Sequence, residues 1–274
     1  MKIVALLENT ACREDLRAAH GLSLYIETPR HRILFDMGPD SGFLSNAGAL
    51  GVDLSAVDTA VLSHGHYDHG GGLAAFCRAN GRAEVLIHRD AFGDFCALEE
   101  GGEPRYIGLD PALRQLRDRL RFTGGLVRLD DELTLFSDEG GGFPALTASA
   151  RLCRRTEEDI RPDDFRHEQN LLIQAEGRAV LICGCAHRGV VNIRDQAAEL
   201  LGRMPDAVFG GFHLFELAGG PEADALIDDT GRALLAGETV YYTGHCTGPY
   251  AYERLGAVLG PRLRSLTGGA VIEM

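Results

Sequence analysis

The sequence lacks the features of a secreted, membrane-spanning or disulfide-stabilised protein. Its seven cysteines are an odd number scattered between positions 12 and 246, and no Cys-x-x-Cys pair occurs. This pattern favours free thiols in a reducing compartment over a disulfide framework. The apolar run at 3–7 is too short for a signal peptide, and no later run approaches the length of a membrane span. We therefore expect a soluble, cytoplasmic protein.

Positive charge is also scarce. The chain has 27 Lys and Arg against 40 Asp and Glu, so its formal net charge is −13. Such a charge repels phosphate backbones, which argues against nucleic acid as a ligand. We expect a small-molecule substrate, with no nucleic-acid and no membrane partner.

No linker or shift in composition divides the 274 residues, and 45% of them are hydrophobic. We therefore predict a single domain over 1–274, with a loosely patterned segment at about 89–166 acting as a lid or specificity insertion. This segment contains the glycine-rich run 139–142. It also contains arginines that either meet an anionic substrate or, as is commoner for each one alone, lie on a solvated face: Arg105, Arg114, Arg117, Arg119, Arg121, Arg151, Arg154 and Arg155.

The most informative stretch is His64-Gly65-His66-Tyr67-Asp68-His69, which follows an apolar run predicted to be a buried strand. Side chains at i and i+2 of an extended segment point the same way, so His64 and His66 can bind one cation. The following glycines turn the chain and direct Asp68 and His69 towards a second cation. Imidazole and carboxylate ligands suit zinc, with manganese or iron as alternatives, and the lack of clustered thiolates indicates an open, catalytic site. A polar turn with capping histidines is the alternative for any single histidine.

A strand followed by glycine and histidine recurs further along the chain, at His187, His213 and His245. Alternating strands and helices predict an α/β protein with helices outside its sheets, and ligands of such proteins gather at one edge of the sheet. The predicted ligands are His64, His66 and His187 for the first metal, and Asp68, His69 and His245 for the second. His213 is a candidate substrate-binding residue at the pocket rim, or a polar residue at a strand end.

The run His64-x-His66-x-Asp68-His69 resembles the signature of the metallo-β-lactamase superfamily. Three further motifs, at 184–193, 210–214 and 242–248, resemble the branch labelled 7,8-dihydropterin-6-methyl-4-(β-D-ribofuranosyl)aminobenzene-5′-phosphate synthase. The resemblance spans nearly the whole chain. It implies a four-layer αβ/βα sandwich and a site for two divalent metal ions.

The resemblance also implies roles for three residues beside the main ligands. Asp36 occupies the position of an aspartate that supports the metal loop, although a turn or helix-capping role is equally compatible with the residues around it. His167 lies where the superfamily often places the third histidine of the first site, so it competes with His187; a surface histidine is the alternative. Cys185 replaces the usual bridging aspartate, and either Cys185 or His187 takes over part of its task.

The predicted activity is hydrolysis of an ester-like bond, a phosphoester or cyclic ester of a small anionic metabolite, by a metal-bound hydroxide held by Asp68. The alternatives are a pterin-pathway synthase on the same metal site and a non-catalytic metal-binding sensor. A nucleophile formed by Cys185 and His187, and an iron-dependent redox site, are further alternatives that the cysteines suggest.

Overall fold

A computed structural model describes residues 1–137, 151–217 and 219–274. The glycine-rich run 139–142, a predicted part of the lid, lies outside these residues. The strands, in chain order, are β1 (Lys2–Leu7), β2 (Ser23–Glu27), β3 (Arg32–Phe35), β4 (Thr59–Leu62), β5 (Glu84–His88), β6 (Asp94–Leu98), β7 (Pro104–Tyr106), β8 (Leu120–Thr123), β9 (Leu126–Arg128), β10 (Leu133–Phe136), β11 (Leu152–Arg155), β12 (Ile160–Pro162), β13 (Asn170–Ala175), β14 (Arg178–Ile182), β15 (Ala207–Phe209), β16 (Val240–Thr243), β17 (Leu263–Ser265) and β18 (Val271–Glu273).

The α-helices, in chain order, are α1 (Gly42–Ala49), α2 (Tyr67–Gly70), α3 (Leu73–Ala79), α4 (Val190–Leu201), α5 (Pro221–Leu234) and α6 (Pro249–Leu259). Short 3₁₀ segments lie between them. The chain forms two compact units, which are described in turn.

The first unit contains residues 1–124, 151–169 and 267–274. Its main sheet has the order β18-β1-β2-β3-β4-β5-β8. The strands from β18 to β3 pair antiparallel, whereas β3, β4, β5 and β8 pair parallel. Among the parallel strands, β3, β4 and β5 are mostly apolar and buried, as expected for strands covered on both faces, whereas β8 at the edge exposes Arg121 and Phe122. Their carboxyl ends lie at one edge of the sheet, so the loops after β3, β4 and β5 are neighbours.

The apolar core of this unit lies between the sheet and the helices α1 and α3. Phe43 of α1 and Phe76 of α3 are fully buried and pack with the side chains of β3, β4 and β5. A smaller sheet of the same unit has the order β12-β11-β6-β7. These short strands lie within the segment 89–166, where the sequence shows no clear alternation of apolar residues. The prediction that this segment is a lid stays a prediction.

The second unit contains the described residues of 125–137 and 170–266. Its sheet has the order β17-β16-β15-β14-β13-β10-β9, in which β14 to β17 pair parallel and the remaining strands pair antiparallel. The helices α4, α5 and α6 supply Ile193, Ile227 and Leu255 to its core. The carboxyl ends of β14, β15 and β16 again lie at one edge, so the residues after these strands come together.

Two elements differ from what the sequence pattern predicts. The pattern predicts a helix from about 111 to 121, and the structure has a 3₁₀ helix there, Pro111–Arg119, followed by β8. Pairing of β8 with β5 supplies the backbone hydrogen bonds that a longer helix would have made. The sequence pattern also predicts one strand over 206–214, but β15 ends at Phe209, because the backbone turns at Gly210, where φ is +139°. Residues 210–214 therefore form a loop that carries His213.

Candidate metal centre

The predicted ligands of the first unit lie in the loop after β4 and in the short helix α2. His64, His66, Asp68 and His69 are all buried. The ring centroids of His64 and His66 are 4.6 Å apart, and those of His64 and His69 are 4.1 Å apart. The Asp68 carboxylate lies 3.6 Å from Nε2 of His69. The fold thus clusters three imidazoles and a carboxylate from six consecutive residues.

Gly65 allows this loop to approach the backbone after β5. A Cβ atom at this position would lie 2.0 Å from the Ala91 carbonyl oxygen and 2.7 Å from the Phe95 ring. Both distances are shorter than real Cβ contacts, and a backbone carbonyl cannot move aside as a flexible side chain does. The glycine between the two histidines is therefore required by packing.

Asp36, directly after β3, holds the loop through three hydrogen bonds. Its carboxylate accepts from the Ser63 backbone N–H at 2.8 Å, from the Ser63 hydroxyl at 2.8 Å and from Nδ1 of His69 at 2.7 Å. Because the carboxylate accepts from Nδ1, the lone pair of the His69 ring lies on Nε2. These contacts fix the position of the loop, and the predicted role of Asp36 in supporting a metal site stays a prediction.

Ser63 extends the same arrangement to His64. Its hydroxyl donates to Asp36, so it acts as the acceptor for Nδ1 of His64, 2.8 Å away. The lone pair of His64 then also lies on Nε2. Asp36 thereby sets the tautomer of one histidine directly and of another through Ser63, which is how proteins commonly orient metal-binding imidazoles.

Both ring nitrogens of His167 contact the protein. Nδ1 accepts from the Gly65 backbone N–H at 2.9 Å, and Nε2 lies 3.1 Å from the Asp163 carboxylate. The ring also stacks on Phe95, with centroids 3.9 Å apart. These contacts favour a role for His167 in holding the metal loop, rather than the ligand role in which it competes with His187.

Asp163 is a buried carboxylate that remains ionised. Burial acts to raise the pKa of Asp163, but hydrogen bonds from His167 and from the Phe165 backbone N–H act against burial, and the pKa is lowered to about 2. The anion therefore fixes the imidazole that holds Gly65. In the neutral imidazole, Nε2 carries the hydrogen and Nδ1 accepts.

In the second unit, five candidate residues follow the parallel strands β14, β15 and β16. They are Cys185, His187, His213, His245 and Cys246, and each is buried. The rings of His187 and His213 are 4.4 Å apart. The ligand atoms of Cys185, His213 and Cys246 all lie within 4.8 Å of one another. The second unit therefore also has a cluster of metal-ligand side chains, and it is richer in sulfur than the first.

The backbone of this cluster is strained. Ala186, His213 and His245 have φ of +51°, +48° and +46°, in the left-handed region that residues other than glycine rarely adopt. Such strain costs about 1–3 kcal/mol per residue and is concentrated at functional sites. Burial acts to raise the pKa of the Cys246 thiol, but its contacts with Cys185 and His213 and the charges of His245 and His213 lower this pKa well below its usual range.

Comparison with known proteins identifies the family. The family model described as the metallo-beta-lactamase superfamily matches residues 16–245. The chain belongs to the metallo-β-lactamase superfamily. The predicted α/β sandwich fold of the metallo-β-lactamase type is thereby confirmed.

The proteins that resemble this chain carry different descriptions of their activity. An uncharacterized protein of Methanocaldococcus jannaschii is 30% identical over 225 residues, covering 77% of this chain and 79% of the relative. The 7,8-dihydropterin-6-methyl-4-(beta-D-ribofuranosyl)-aminobenzene-5′-phosphate synthase of the same organism is 26% identical, covering 90% and 88%. The crystal structure of Tm1679, described as a metal-dependent hydrolase of the beta-lactamase superfamily, has a TM-score of 0.81 and 26% identity, with 100% and 99% coverage.

The residues of this metallo-β-lactamase-fold chain fit divalent metal ions. The Nε2 lone pairs of His64 and His69 are set by Asp36 and Ser63, and a buried carboxylate adjoins them. The number and identity of the ions, and the pairing of His187 and His245 with the first unit's ligands, stay predictions. Along the described residues, no helix combines the length and apolar character needed to cross a membrane.

Sequence reasoning did not single out Ser63, Asp163 or His20. Nε2 of His20 lies 3.4 Å from the Asp68 carboxylate, although half of the His20 side chain is exposed. Ser63 directly precedes the histidine motif, so proximity was the available signal. For Asp163 the spacing of four residues to His167 was the only sequence signal.

Proposed function

We propose that this chain is a binuclear metal-dependent hydrolase that cleaves an ester-like bond, a phosphoester or cyclic ester, in a small anionic metabolite. The observation that carries this proposal is the hydrogen-bonded set Asp36, Ser63, His64 and His69, which presents two imidazole Nε2 atoms in one buried cluster. The likeness to Tm1679, which bears the description of a metal-dependent hydrolase, supports it.

The proposed ligands keep the assignment made from the sequence: His64, His66 and His187 for one ion, and Asp68, His69 and His245 for the other. Divalent cations bound there lower the pKa of coordinated water and stabilise negative charge on the reacting group. We expect zinc to be the bound metal, with manganese or iron as alternatives. Five of the six proposed ligands are neutral imidazoles and one is a carboxylate, so the metal-loaded site would keep net positive charge, which favours an anionic substrate.

Asp68 is the proposed catalytic carboxylate. One oxygen lies 3.6 Å from Nε2 of His69 and 3.4 Å from Nε2 of His20, so two imidazoles adjoin the carboxylate. It is buried but retains 7% of its surface exposed. An ionised carboxylate at this position can orient a water molecule and accept its proton during hydrolysis.

A panel of phosphoesters, phosphodiesters, lactones and thioesters tests the proposal. We expect turnover that disappears after chelator dialysis and returns with zinc, and a rate that rises with pH along a single acidic limb. The variant His66→Ala should lose at least about 100-fold in kcat/KM. The matched control is His31→Ala, because His31 belongs to the same unit but contacts Asp58 at 3.1 Å.

Two results would contradict hydrolysis at a metal site. One is full activity of the metal-free protein. The other is activity that is abolished by thiol alkylation but unchanged in His66→Ala, which would favour the nucleophile formed by Cys185 and His187.

A second candidate function follows from the relative named as a pterin-pathway synthase, which covers 90% of this chain. Incubation of the metal-loaded protein with a 7,8-dihydropterin and a ribofuranosyl-aminobenzene 5′-phosphate would reveal it, with mass spectrometry of the condensation product as the measurement. A condensation product without ester hydrolysis would replace the first proposal by this one. Metal binding without turnover of any compound would favour the sensor alternative.

A further inference from the structure

A second feature of the second unit is its pair of thiols beside an imidazole. Cys185 follows β14, His213 follows β15 and Cys246 follows β16, and these residues are 3%, 4% and 2% exposed. Their ligand atoms lie within 4.8 Å of one another. Chain order does not bring them together; the parallel pairing of three strands does, because their carboxyl ends lie side by side.

His213 is the member of this cluster whose ring nitrogens lack hydrogen bonds within the described residues. Both of its ring nitrogens are buried, and neither has a hydrogen-bond partner among the residues that the structure describes. Leaving such a group without a partner costs about 1–3 kcal/mol. The residue also has a φ of +48°, which adds strain. The chain thus maintains an imidazole in an unfavourable position next to two thiols, which is expected of a ligand.

The position of Cys246 is fixed by close packing. The His213 backbone N–H donates to Cys246 Sγ at 3.3 Å, and the thiol donates to the Cys185 carbonyl at 3.6 Å. A Cβ atom on Gly211 would lie 2.3 Å from Cys246 Sγ, so only glycine lets the β15 loop approach the sulfur.

We propose that Cys185, His213 and Cys246 form a thiolate-rich metal subsite that binds a zinc-like ion in preference to manganese or magnesium. Two sulfurs and one nitrogen match the preferences of zinc, iron(II) and cobalt(II), whereas manganese and magnesium prefer oxygen ligands. On binding, each thiol gives its proton to solvent and a metal–sulfur bond forms. The proposal assigns His213 to metal binding instead of substrate binding. It goes beyond the hydrolase proposal, since it concerns binding in the absence of any substrate.

Cobalt(II) added to the metal-free, full-length protein tests this subsite, because thiolate–cobalt bonds give strong charge-transfer absorption. We expect a band in the wild type that falls to about half in Cys185→Ala and in Cys246→Ala and vanishes in the double variant, since each thiolate contributes one bond. His213→Ala should keep the band but weaken cobalt binding at least about 10-fold. The matched control is Cys183→Ala, a buried thiol two residues from Cys185, which should keep the full band.

X-ray absorption spectroscopy of the zinc-loaded wild type provides a measurement that does not depend on whether a variant folds. We expect sulfur neighbours at about 2.3 Å from zinc. A coordination shell of nitrogen and oxygen alone, or an undiminished cobalt band in a folded Cys246→Ala protein, would overturn the proposal. Because no substrate is used, a protein with the sulfur signature but without esterase activity would contradict only the hydrolase proposal.

Discussion

Asp36 positions several residues of the candidate site through one carboxylate. It is fully buried, lies in the left-handed region with a φ of +58°, and accepts from Ser63 and His69. An asparagine of the same shape would place an N–H group against one of these donors. The tautomers of His64 and His69 would then no longer be set by an anion.

We therefore predict that Asp36→Asn lowers the affinity for zinc by about 10–100-fold. Competition titration with a metal-binding dye measures the change. The matched control is Asp58→Asn. Asp58 also accepts a backbone N–H, that of Arg32, but it lies before β4, whereas the histidine loop follows β4. Equal affinities of the two variants would show that Asp36 does not orient the ligands.

His88 gives a prediction about pH. Burial lowers the pKa of His88, as do the charges of His167 and Arg89, against the opposing effect of Asp90. Because the folded pKa lies below the unfolded one, the unfolded chain binds the proton more readily in acid. The free energy of unfolding is therefore unaffected by the titration of His88 above about pH 6.5, and it decreases as the pH falls below that value.

The variant His88→Asn keeps an acceptor for the Asp90 backbone N–H, which His88 binds at 3.2 Å. We expect the free energy of unfolding of this variant to decline less than that of the wild type between pH 6.5 and 5, by up to about 1.4 kcal/mol per pH unit. Urea denaturation of the metal-free proteins measures it. If the free energy of unfolding declined equally in the variant and the wild type, the pKa of His88 would be the same in the folded and unfolded states.

At the scale of elements, the loop after β4 depends on close backbone approach. We predict that Gly65→Ala displaces this loop, because its Cβ atom would lie 2.0 Å from the Ala91 carbonyl oxygen. The expected results are a loss of about 1–3 kcal/mol in the free energy of unfolding and weaker zinc binding, since the hydrogen bond from Gly65 to His167 moves too.

The control for this change is Gly81→Ala, because a Cβ atom there would have no neighbour within 4 Å in the described part of the chain. It should change the free energy of unfolding by no more than about 0.5 kcal/mol and leave zinc binding intact. If Gly65→Ala also left both quantities unchanged, the close packing of the loop would not matter for the site.

The strands that carry ligands were the elements best predicted from the sequence. β4 and β14 correspond to the short apolar runs that precede glycine and histidine in the sequence. Their signal is local, since a buried parallel strand reads as a continuous apolar run. The motif around His64 could be recognised for the same reason.

The elements that the sequence did not reveal depend on distant partners. β6 and β11 pair with each other although more than 50 residues separate them, and neither shows a regular alternation of apolar residues. The contacts of His167 with Gly65 and Asp163 arise only when the loops meet. Pairing between distant segments leaves no local periodicity, so these features required the structure.

At the scale of the whole molecule, the net charge of −13 opposes the anionic substrate that we propose. Bound cations offset this charge locally, so metal loading and substrate affinity should be coupled. We expect KM for an active anionic ester to rise as ionic strength increases, because screening weakens the attraction between the site and the substrate. A neutral ester of the same shape is the control, and equal salt dependence of both esters would contradict a role for charge.

The last prediction concerns metal binding and overall stability. Six proposed ligands in two sets imply about two divalent ions per folded chain, and ions that bind only the folded chain stabilise it by mass action. At a metal concentration about 1,000 times the dissociation constant, one site contributes about 4 kcal/mol.

Elemental analysis should therefore find about two ions in the wild type and about one in the variant Asp68→Ala, His69→Ala, with lower apparent melting temperatures for the double variant and for the chelated wild type. The His31→Ala protein should keep both ions, because in the wild type the His31 imidazole contacts Asp58 instead of the histidine cluster. A wild type that never exceeds one tightly bound ion, or a double variant that retains two, would remove the second metal from the proposed site. The hydrolase proposal would then have to rest on His64 and His66 with a single ion, and Asp68 would lose its assigned part in binding that ion.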